Sequence, residues 1–379
     1  MEKLNTLIQT EEELEILVRK AKKTDAVALD TEFVWERTYY PQLGLIQLAL
    51  SDEECYLIDP LAIANLEILG RLLSDRSVIK IFHDAPQDLT ILYRATGATT
   101  QNIFDTRLAA GFAGLSSTLS LANLSKEVLD IELSKEETRT NWLNRPLSDD
   151  QVRYALDDVR YLRAIRILLL TRIIGPKLKS WLQEELNILS NPADYIGPQD
   201  SERFRKIRGS NLLDTQGLAI LKNLSTWREG MAKKRNRPRG HIVHDSILLE
   251  AAKNKPNSTE QLKTHTAISG RALASYGDTI AAIIETTRNQ SPRNYPEVDH
   301  GIRLNAREKT SYDRLTKLID LKSELLGLDP GLVGNTSELK KLTKILAAQD
   351  SSIPQQLRQT EGWRKEFIAD FFHSCVQSC

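Results

Sequence analysis

Short apolar runs alternate with amphipathic stretches over about the first 190 residues of the chain. The runs are typical of buried strands, and the stretches have the 3.6-residue period of helices. This order predicts an α/β domain built on a mixed sheet with flanking helices. The strand-like runs are residues 26–30, 43–50, 55–58 and 78–82, and the helical patterns are 11–22, 61–74, 86–95, 105–114, 118–129 and 148–170.

The strand pattern ends at residues 191–203, a polar segment with two prolines and a glycine that is typical of a linker. Only helical patterns follow, and a second polar joint at 286–301 divides them into two parts of similar size. We expect two all-α bundles there, and we expect few core contacts to cross the linker, so that a cut after about residue 205 leaves a folded α/β domain. The expected domains are 1–195, 211–289 and 300–379, with 196–210 as linker.

The composition is that of a globular protein, with 41% hydrophobic and 27% charged residues. No apolar run reaches the roughly 18 residues that suggest a membrane span. The polar, acidic N-terminus is unlike a signal peptide, and the three cysteines have no metal-site spacing. We therefore expect a cytoplasmic protein, and a monomer, because no exposed heptad or large apolar patch is visible.

The net charge of zero hides an asymmetry between the two halves of the chain. Residues 1–200 contain 22 Lys and Arg against 31 Asp and Glu, whereas residues 201–379 contain 29 against 20. An acidic half joined to a basic half suits a cation-binding catalytic unit beside a polyanion-binding unit. Chance variation of the surface is an equally good explanation of this asymmetry by itself.

The first pair of candidate carboxylates, Asp30 and Glu32, closes an apolar strand. Side chains alternate along a strand, so these two project to the same face. Adjacent carboxylates repel each other, and a divalent cation between them relieves the repulsion. The alternative is a strand end that runs into solvent, where acidic residues are common.

A third candidate, Asp88, follows a buried strand and falls in the first turn of a helix that Pro86 begins. The helix dipole alone favours an acidic residue there, so stabilisation of the helix end is the alternative to a role in a site.

The remaining candidates, Tyr154 and Asp158, are four residues apart in a long helical pattern and therefore share one helix face. Asp157 competes with Asp158 for the same role. Together the four carboxylates could bind two divalent cations that flank a scissile phosphate, and a tyrosine hydroxyl nearby could hold the attacking water.

Three segments resemble the three motifs of the DEDD exonucleases, in the branch with tyrosine in the third motif: residues 29–49, 80–89 and 133–162. The RTYYPQLGLIQL stretch and the segment Arg139 to Leu147 resemble the bacterial ribonuclease D family in particular. Residues 211–289 resemble a helicase-and-ribonuclease-D C-terminal (HRDC) domain, and about 300–373 resemble a divergent second copy.

The resemblance implies a ribonuclease-H-like sheet and 3′→5′ hydrolytic release of nucleoside 5′-monophosphates from RNA, with tRNA precursors as typical substrates. It implies that two divalent ions, Mg²⁺ or Mn²⁺, bind to Asp30, Glu32, Asp88 and Asp158. It further implies that Tyr154 orients the attacking water, and it selects Asp158 over Asp157.

Further residues are candidates for contact with RNA. Lys135, Arg139 and Trp142 precede the third motif, although Trp142 is as good a candidate for packing against the helix. A basic run in the helical region is either an RNA contact or a solvated loop, and comprises Lys233, Lys234, Arg235, Arg237 and Arg239. Three other functions remain open: a DNA 3′-5′ exonuclease, a non-catalytic RNA-binding protein and, more remotely, a glycosidase that uses two carboxylates.

Overall fold

The computed structural model describes residues 6–134, 140–193, 199–297, 302–347 and 357–372. These residues form two compact units. The first unit takes its residues from 1–34, 43–196 and 304–379, and the second from 35–42 and 197–303.

The first unit is built on a six-stranded mixed sheet with the strand order β1-β4-β3-β2-β5-β6. Strands β3 and β4 are antiparallel, whereas the pairs β1–β4, β2–β5 and β5–β6 are parallel. The strands are β1 (Leu7–Ile8), β2 (Ala26–Val34), β3 (Gln42–Ala49), β4 (Cys55–Ile58), β5 (Ile79–Phe82) and β6 (Ile103–Asp105).

Helices cover both faces of this sheet, as the alternation along β2 requires. Val27 and Leu29 face one core, which α1, α2 and α3 complete. Ala26 and Ala28 face a second core, to which α4, α7 and α8 contribute. The helices are α1 (Glu11–Ala21), α2 (Glu67–Leu73), α3 (Pro86–Thr96), α4 (Thr106–Phe112), α5 (Leu121–Leu129), α6 (Asp149–Arg160), α7 (Leu162–Arg172) and α8 (Pro176–Ile188).

The second unit is helical and has its own core. Residues Gln199–Lys206 form a 3-10 helix there, and Phe204 and Ile207 are buried, so part of the expected linker belongs to this core. The chain segment 35–42 joins the unit through Tyr39, whose backbone N–H donates to Asn236 Oδ1 at 3.1 Å. Its helices are α9 (Thr215–Arg235), α10 (Arg239–Ile242), α11 (Asp245–Asn254), α12 (Thr259–His265) and α13 (Gly270–Arg288).

The C-terminal helices, α14 (Ala306–Leu326), α15 (Thr336–Ala347) and α16 (Gly362–Phe367), share a core with the sheet domain. The rings of Trp181 and Trp363 stack with their centroids 5.4 Å apart. The expectation that few core contacts cross the linker is therefore wrong for these helices. Among the described residues, no helix combines the length and apolar character needed to cross a membrane.

Candidate active site

The end of β2 and the middle of α6 bring three carboxylates together. One oxygen from each of Asp30, Glu32 and Asp158 can be chosen so that all three lie within 4.8 Å of one another. Asp30 and Glu32 share a strand face as their spacing predicts. Asp157 lies outside this group, and its carboxylate instead accepts a hydrogen bond from Arg160 Nε at 3.0 Å.

The fourth carboxylate, Asp88, reaches the cluster from the first turn of α3, which begins at Pro86. Its Oδ1 accepts a hydrogen bond from the hydroxyl of Thr31 at 2.5 Å. Asp105 accepts a hydrogen bond from the backbone N–H of Ala85 at 2.8 Å and so fixes the loop that leads into this helix. Asp88 is buried beside the other acids, which helix-end stabilisation alone does not explain.

Helix α6 orients Tyr154 and Asp158 on one face, and the Tyr154 hydroxyl donates a hydrogen bond to the Asp158 carboxylate. The start of this helix is fixed by a capping box, in which Ser148 accepts from the backbone of Gln151 and Gln151 accepts from the backbone of Ser148. The helix therefore has a defined first turn, which sets the register of the two functional side chains.

Burial and mutual repulsion strongly perturb these acids. Burial, reinforced by the charges of Asp30, Asp158 and Asp88, raises the pKa of Glu32 to about 10. Burial raises the pKa of Asp158 to about 7, although the hydrogen bond from Tyr154 opposes the rise. The pKa values of Asp30 and Asp88 also lie well above the ordinary range, first because of burial and then because of the neighbouring carboxylates. A positive charge among such carboxylates would relieve this repulsion.

Comparisons with known proteins agree with this geometry. A family model described as a 3′-5′ exonuclease matches residues 5–174, and one described as an HRDC domain matches residues 217–284. A ribonuclease D of Desulfotalea psychrophila is 54% identical over 370 residues, which make up 98% of each chain. The chain belongs to the ribonuclease D family. A ribonuclease D of Pseudomonas paraeruginosa is 32% identical and covers 93% of this chain and 92% of its own.

A solved ribonuclease D supports the same fold over the whole chain. The crystal structure of Escherichia coli RNase D, described as an exoribonuclease involved in structured RNA processing, matches with a TM-score of 0.83 at 29% identity. The match covers 100% of this chain and 99% of that one. The resemblance noted in the sequence and the expected fold class are thus confirmed, and the chain is a hydrolytic 3′-5′ exonuclease.

The ribonuclease D exonuclease fold implies divalent metal ions, and the acidic cluster fits them. Carboxylates supply only oxygen atoms, the ligands that Mg²⁺ and Mn²⁺ prefer. Burial and mutual repulsion raise the pKa values of these acids, and bound positive charge would stabilise their ionised forms.

Of the RNA-contact candidates that precede α6 in this ribonuclease D family member, the structure describes Trp142 alone. Lys135 and Arg139 lie outside the described residues. Trp142 is only 1% exposed, and its ring centroid lies 6.1 Å from that of Tyr154. The indole therefore packs in the core and is not available for a base to stack on it, which corrects its assignment as an RNA contact.

The basic run 233–239 is not a single solvated loop. Its first three cations form the last turn of α9. Arg235 lies over the ring of Tyr276, at 5.1 Å from the centroid, and Arg239 forms an ion pair with the buried Glu229. Lys233 lies 5.9 Å from the ring centroid of Tyr39. Lys234 and Arg237 are exposed.

A cavity of about 940 Å³ in the helical unit collects several of these cations. Its lining contains no acidic residue. The sequence did not indicate His241, His244 and Arg271 as neighbours, because they come from separate helices and from the joints between helices. The basic residues of the lining are Arg235, Arg237, His241, His244 and Arg271.

Proposed function

We propose that this chain is a 3′→5′ exoribonuclease that hydrolyses RNA from a free 3′ end to nucleoside 5′-monophosphates, with the 3′ maturation of tRNA precursors as its role. The observation that carries this proposal is the partly buried cluster of Asp30, Glu32 and Asp158, with the buried Asp88 beside it, in a 3′-5′ exonuclease domain. The names of the relatives add RNA as the substrate class.

In this proposal the four carboxylates are the ligands of two divalent ions, Mg²⁺ or Mn²⁺. Bound ions supply positive charge that activates water and stabilises the leaving oxygen of the scissile phosphate. The carboxylates of β2, α3 and α6 would hold these ions, and on binding them they would release the protons that their raised pKa values retain in the metal-free protein.

Tyr154 is proposed to hold the attacking water. Its proton is directed to Asp158, and a phenolic oxygen that donates its proton can also accept a hydrogen bond from water. That contact aims the water oxygen at the phosphorus atom. A new P–O bond forms between the water oxygen and phosphorus, and the bond to the 3′ oxygen of the preceding nucleotide breaks. The proton that the water loses balances the proton that this oxygen takes up as the hydroxyl of the new 3′ end.

The helical unit is proposed to bind the RNA backbone. Lys233, Lys234, Arg235, Arg237 and Arg239 remain candidates, and the acid-free cavity adds His241, His244 and Arg271. Lys135 and Arg139 stay candidates on sequence grounds alone. We also propose that residues 1–195 are the exonuclease domain, that residues 211–289 are the first HRDC domain, that residues 300–379 are a divergent HRDC-like copy packed on the exonuclease domain, and that the protein is a cytoplasmic monomer.

The test is a degradation assay with a 5′-labelled RNA oligomer and a DNA oligomer of the same sequence. The cluster contains nothing that reads a 2′-hydroxyl, so the carboxylates alone suit either substrate. Stepwise shortening of the RNA with Mg²⁺, its loss with a chelator and slower shortening of the DNA are the expected results. Preference for DNA would favour a proofreading or repair exonuclease, and binding without shortening would leave a non-catalytic RNA-binding protein.

A further inference from the structure

The side chain of Arg145, in the segment before α6, has hydrogen-bond partners on three parts of the fold. Its Nε and Nη2 atoms donate to the two carboxylate oxygens of Asp59, at 2.8 and 2.6 Å. Nη2 also donates to the carbonyl oxygen of Gly44 at 2.7 Å. Nη1 donates to the carbonyl oxygens of Trp142 and Asn144, at 2.9 and 2.8 Å. All five N–H donors of the guanidinium group are therefore used.

Asp59 gives this arginine a fixed anchor on the sheet. It follows β4 directly, is 2% exposed, and its backbone N–H donates to the carbonyl oxygen of Ile8 at 2.9 Å. Burial raises the pKa of Asp59, but the hydrogen bonds from Arg145 and from the backbone of Leu61 bring it below its ordinary value on balance. The pair is therefore a bidentate, charge-assisted contact, which is stronger and more directional than a hydrogen bond between neutral groups.

The contacts continue from this anchor to the active site. The backbone and Cβ of Trp142 lie against Gly44, where an added Cβ atom would be only 2.7 Å from both the Cβ and the carbonyl oxygen of Trp142. The Trp142 ring packs against the ring of Tyr154, with the two planes inclined by 38°. The Tyr154 hydroxyl in turn binds the Asp158 carboxylate.

We propose that Arg145 is a positioning residue for hydrolysis: paired with Asp59, it holds Trp142 against Tyr154 and thereby fixes the Tyr154 hydroxyl at the carboxylate cluster. The inference rests on the proposed function, because the position of that hydroxyl matters only if it acts in hydrolysis. A lysine cannot replace the arginine, since an ammonium group lacks the planar fork that reaches several fixed acceptors at once.

The experiment is a double-mutant cycle with Arg145→Lys and Tyr154→Phe, measured as kcat and KM on an RNA oligomer with saturating Mg²⁺. We expect Arg145→Lys to lower kcat by roughly 10- to 100-fold with little change in KM, because a misplacement of about 1 Å can cost about 10²-fold. In the Tyr154→Phe background the same substitution should cost less than about threefold, because no hydroxyl remains to be misplaced.

The outcomes separate this inference from the proposed function. Equal losses of kcat in both backgrounds overturn the inference alone, since Arg145 would then act on the fold and not through Tyr154. A Tyr154→Phe variant with unchanged kcat overturns the role of Tyr154 and the inference with it.

Arg163→Lys is the matched control. The side chains of Arg163 and Arg145 are both 23% exposed, and Arg163 pairs with Asp25 and donates to the carbonyl of Ala26 at the far end of β2. The Arg163→Lys variant should therefore have the kcat of the unsubstituted protein. Asp59→Asn keeps the shape of the anchor and removes only its charge. It is combined with Tyr154→Phe in a second double-mutant cycle, and additive losses of kcat in that cycle overturn the inference as well.

Discussion

Glu32 and Asp158 illustrate, at the scale of single residues, the cost of collecting carboxylates in a buried site. Burial and the neighbouring acids raise the pKa of Glu32 to about 10, and burial raises that of Asp158 to about 7. In the unfolded chain both groups would titrate near their ordinary values of 4.5 and 3.8. At pH values between the unfolded and the folded pKa values, the folded, metal-free protein therefore binds more protons than the unfolded chain.

This difference predicts how stability depends on pH. The contribution of these acids is complete below their unfolded pKa values and is lost as pH rises toward the folded ones. We expect the free energy of unfolding of the chelator-treated protein to fall between about pH 5 and about pH 8. Asp158→Asn should make that fall shallower in denaturation curves recorded across the range, because one of the mutually repelling charges is removed. An unchanged slope in this variant, equal to that of an Asp157→Asn control, would contradict the account.

Trp142 shows why some assignments could not be made from sequence. A tryptophan beside basic residues is compatible with base stacking and with packing, and only the burial of Trp142 in the folded protein decides between them. The catalytic candidates were easier to find, because strand and helix periods place Asp30 with Glu32 and Tyr154 with Asp158 on shared faces, and the resemblance to the ribonuclease D family selects Asp158 over Asp157. Asp88 is intermediate, since its first-turn position has a purely local explanation as well.

At the scale of secondary structure, the sequence predicted the elements with strong periodicity and missed the short ones. Strand β4 lies at the predicted residues, and β2 extends four residues further than predicted. Strands β1 and β6 have only two and three residues, too few to show an alternation. The pattern 148–170 was predicted as one helix, but the structure contains α6 and α7, which meet at Tyr161.

The packing of β3 against the segment before α6 leads to a prediction for Gly44→Ala. A Cβ at this position would lie 2.7 Å from both the Cβ and the carbonyl oxygen of Trp142, so the segment has to move. We expect a loss of roughly 1–3 kcal/mol in unfolding free energy and a lower kcat. Gly230→Ala is the control: its added methyl has no atom within 4 Å, and it should gain roughly 0.5–1 kcal/mol as a better helix former. Unchanged melting and kcat for Gly44→Ala would contradict this packing.

At the scale of the whole molecule, segments that are far apart along the chain share one hydrophobic core. Residues 304–372 come after the helical unit in sequence, yet Trp363 and Phe367 share a core with Trp181 and Leu182 of the sheet domain. The sequence could not reveal this, because a bundle with an apolar face has the same pattern whichever partner covers that face. A cut after about residue 205 is therefore expected to expose apolar surface and to destabilise the exonuclease domain.

Arg364→Met tests this shared core. Arg364 and Glu185 form a buried ion pair, with N–O distances of 2.5 and 3.0 Å, and Glu185 also accepts from the Trp363 indole. Removing the arginine leaves a buried, unpaired charge, which costs roughly 3–5 kcal/mol of unfolding free energy. Arg71→Met, which breaks an exposed pair with Glu15, should cost no more than about 1 kcal/mol. Equal effects of the two substitutions in chemical denaturation would rule out the shared core.

The cavity of the helical unit predicts the salt dependence of RNA binding. Neutralising Arg237 and Arg271 to Gln should weaken binding and flatten the log–log salt slope by about 0.7 per lost contact to a single strand. Arg288→Gln, at the opposite end of α13, should leave the slope unchanged. Binding titrations at several salt concentrations decide it, and an unchanged slope in the Arg237 and Arg271 variants would show that the cavity does not contact the RNA backbone.

We propose that one particular set of carboxylates serves the hydrolysis of RNA from its 3′ end, and two neighbouring aspartates on α6 allow a decisive comparison. The measurement is the Mg²⁺-dependent release of labelled nucleoside 5′-monophosphate from a 3′-labelled RNA by the Asp158→Asn and Asp157→Asn variants. Asp158 belongs to the cluster, whereas Asp157 pairs with Arg160. We predict that Asp158→Asn loses several orders of magnitude in turnover while Asp157→Asn stays active. Near-normal release by Asp158→Asn would contradict it.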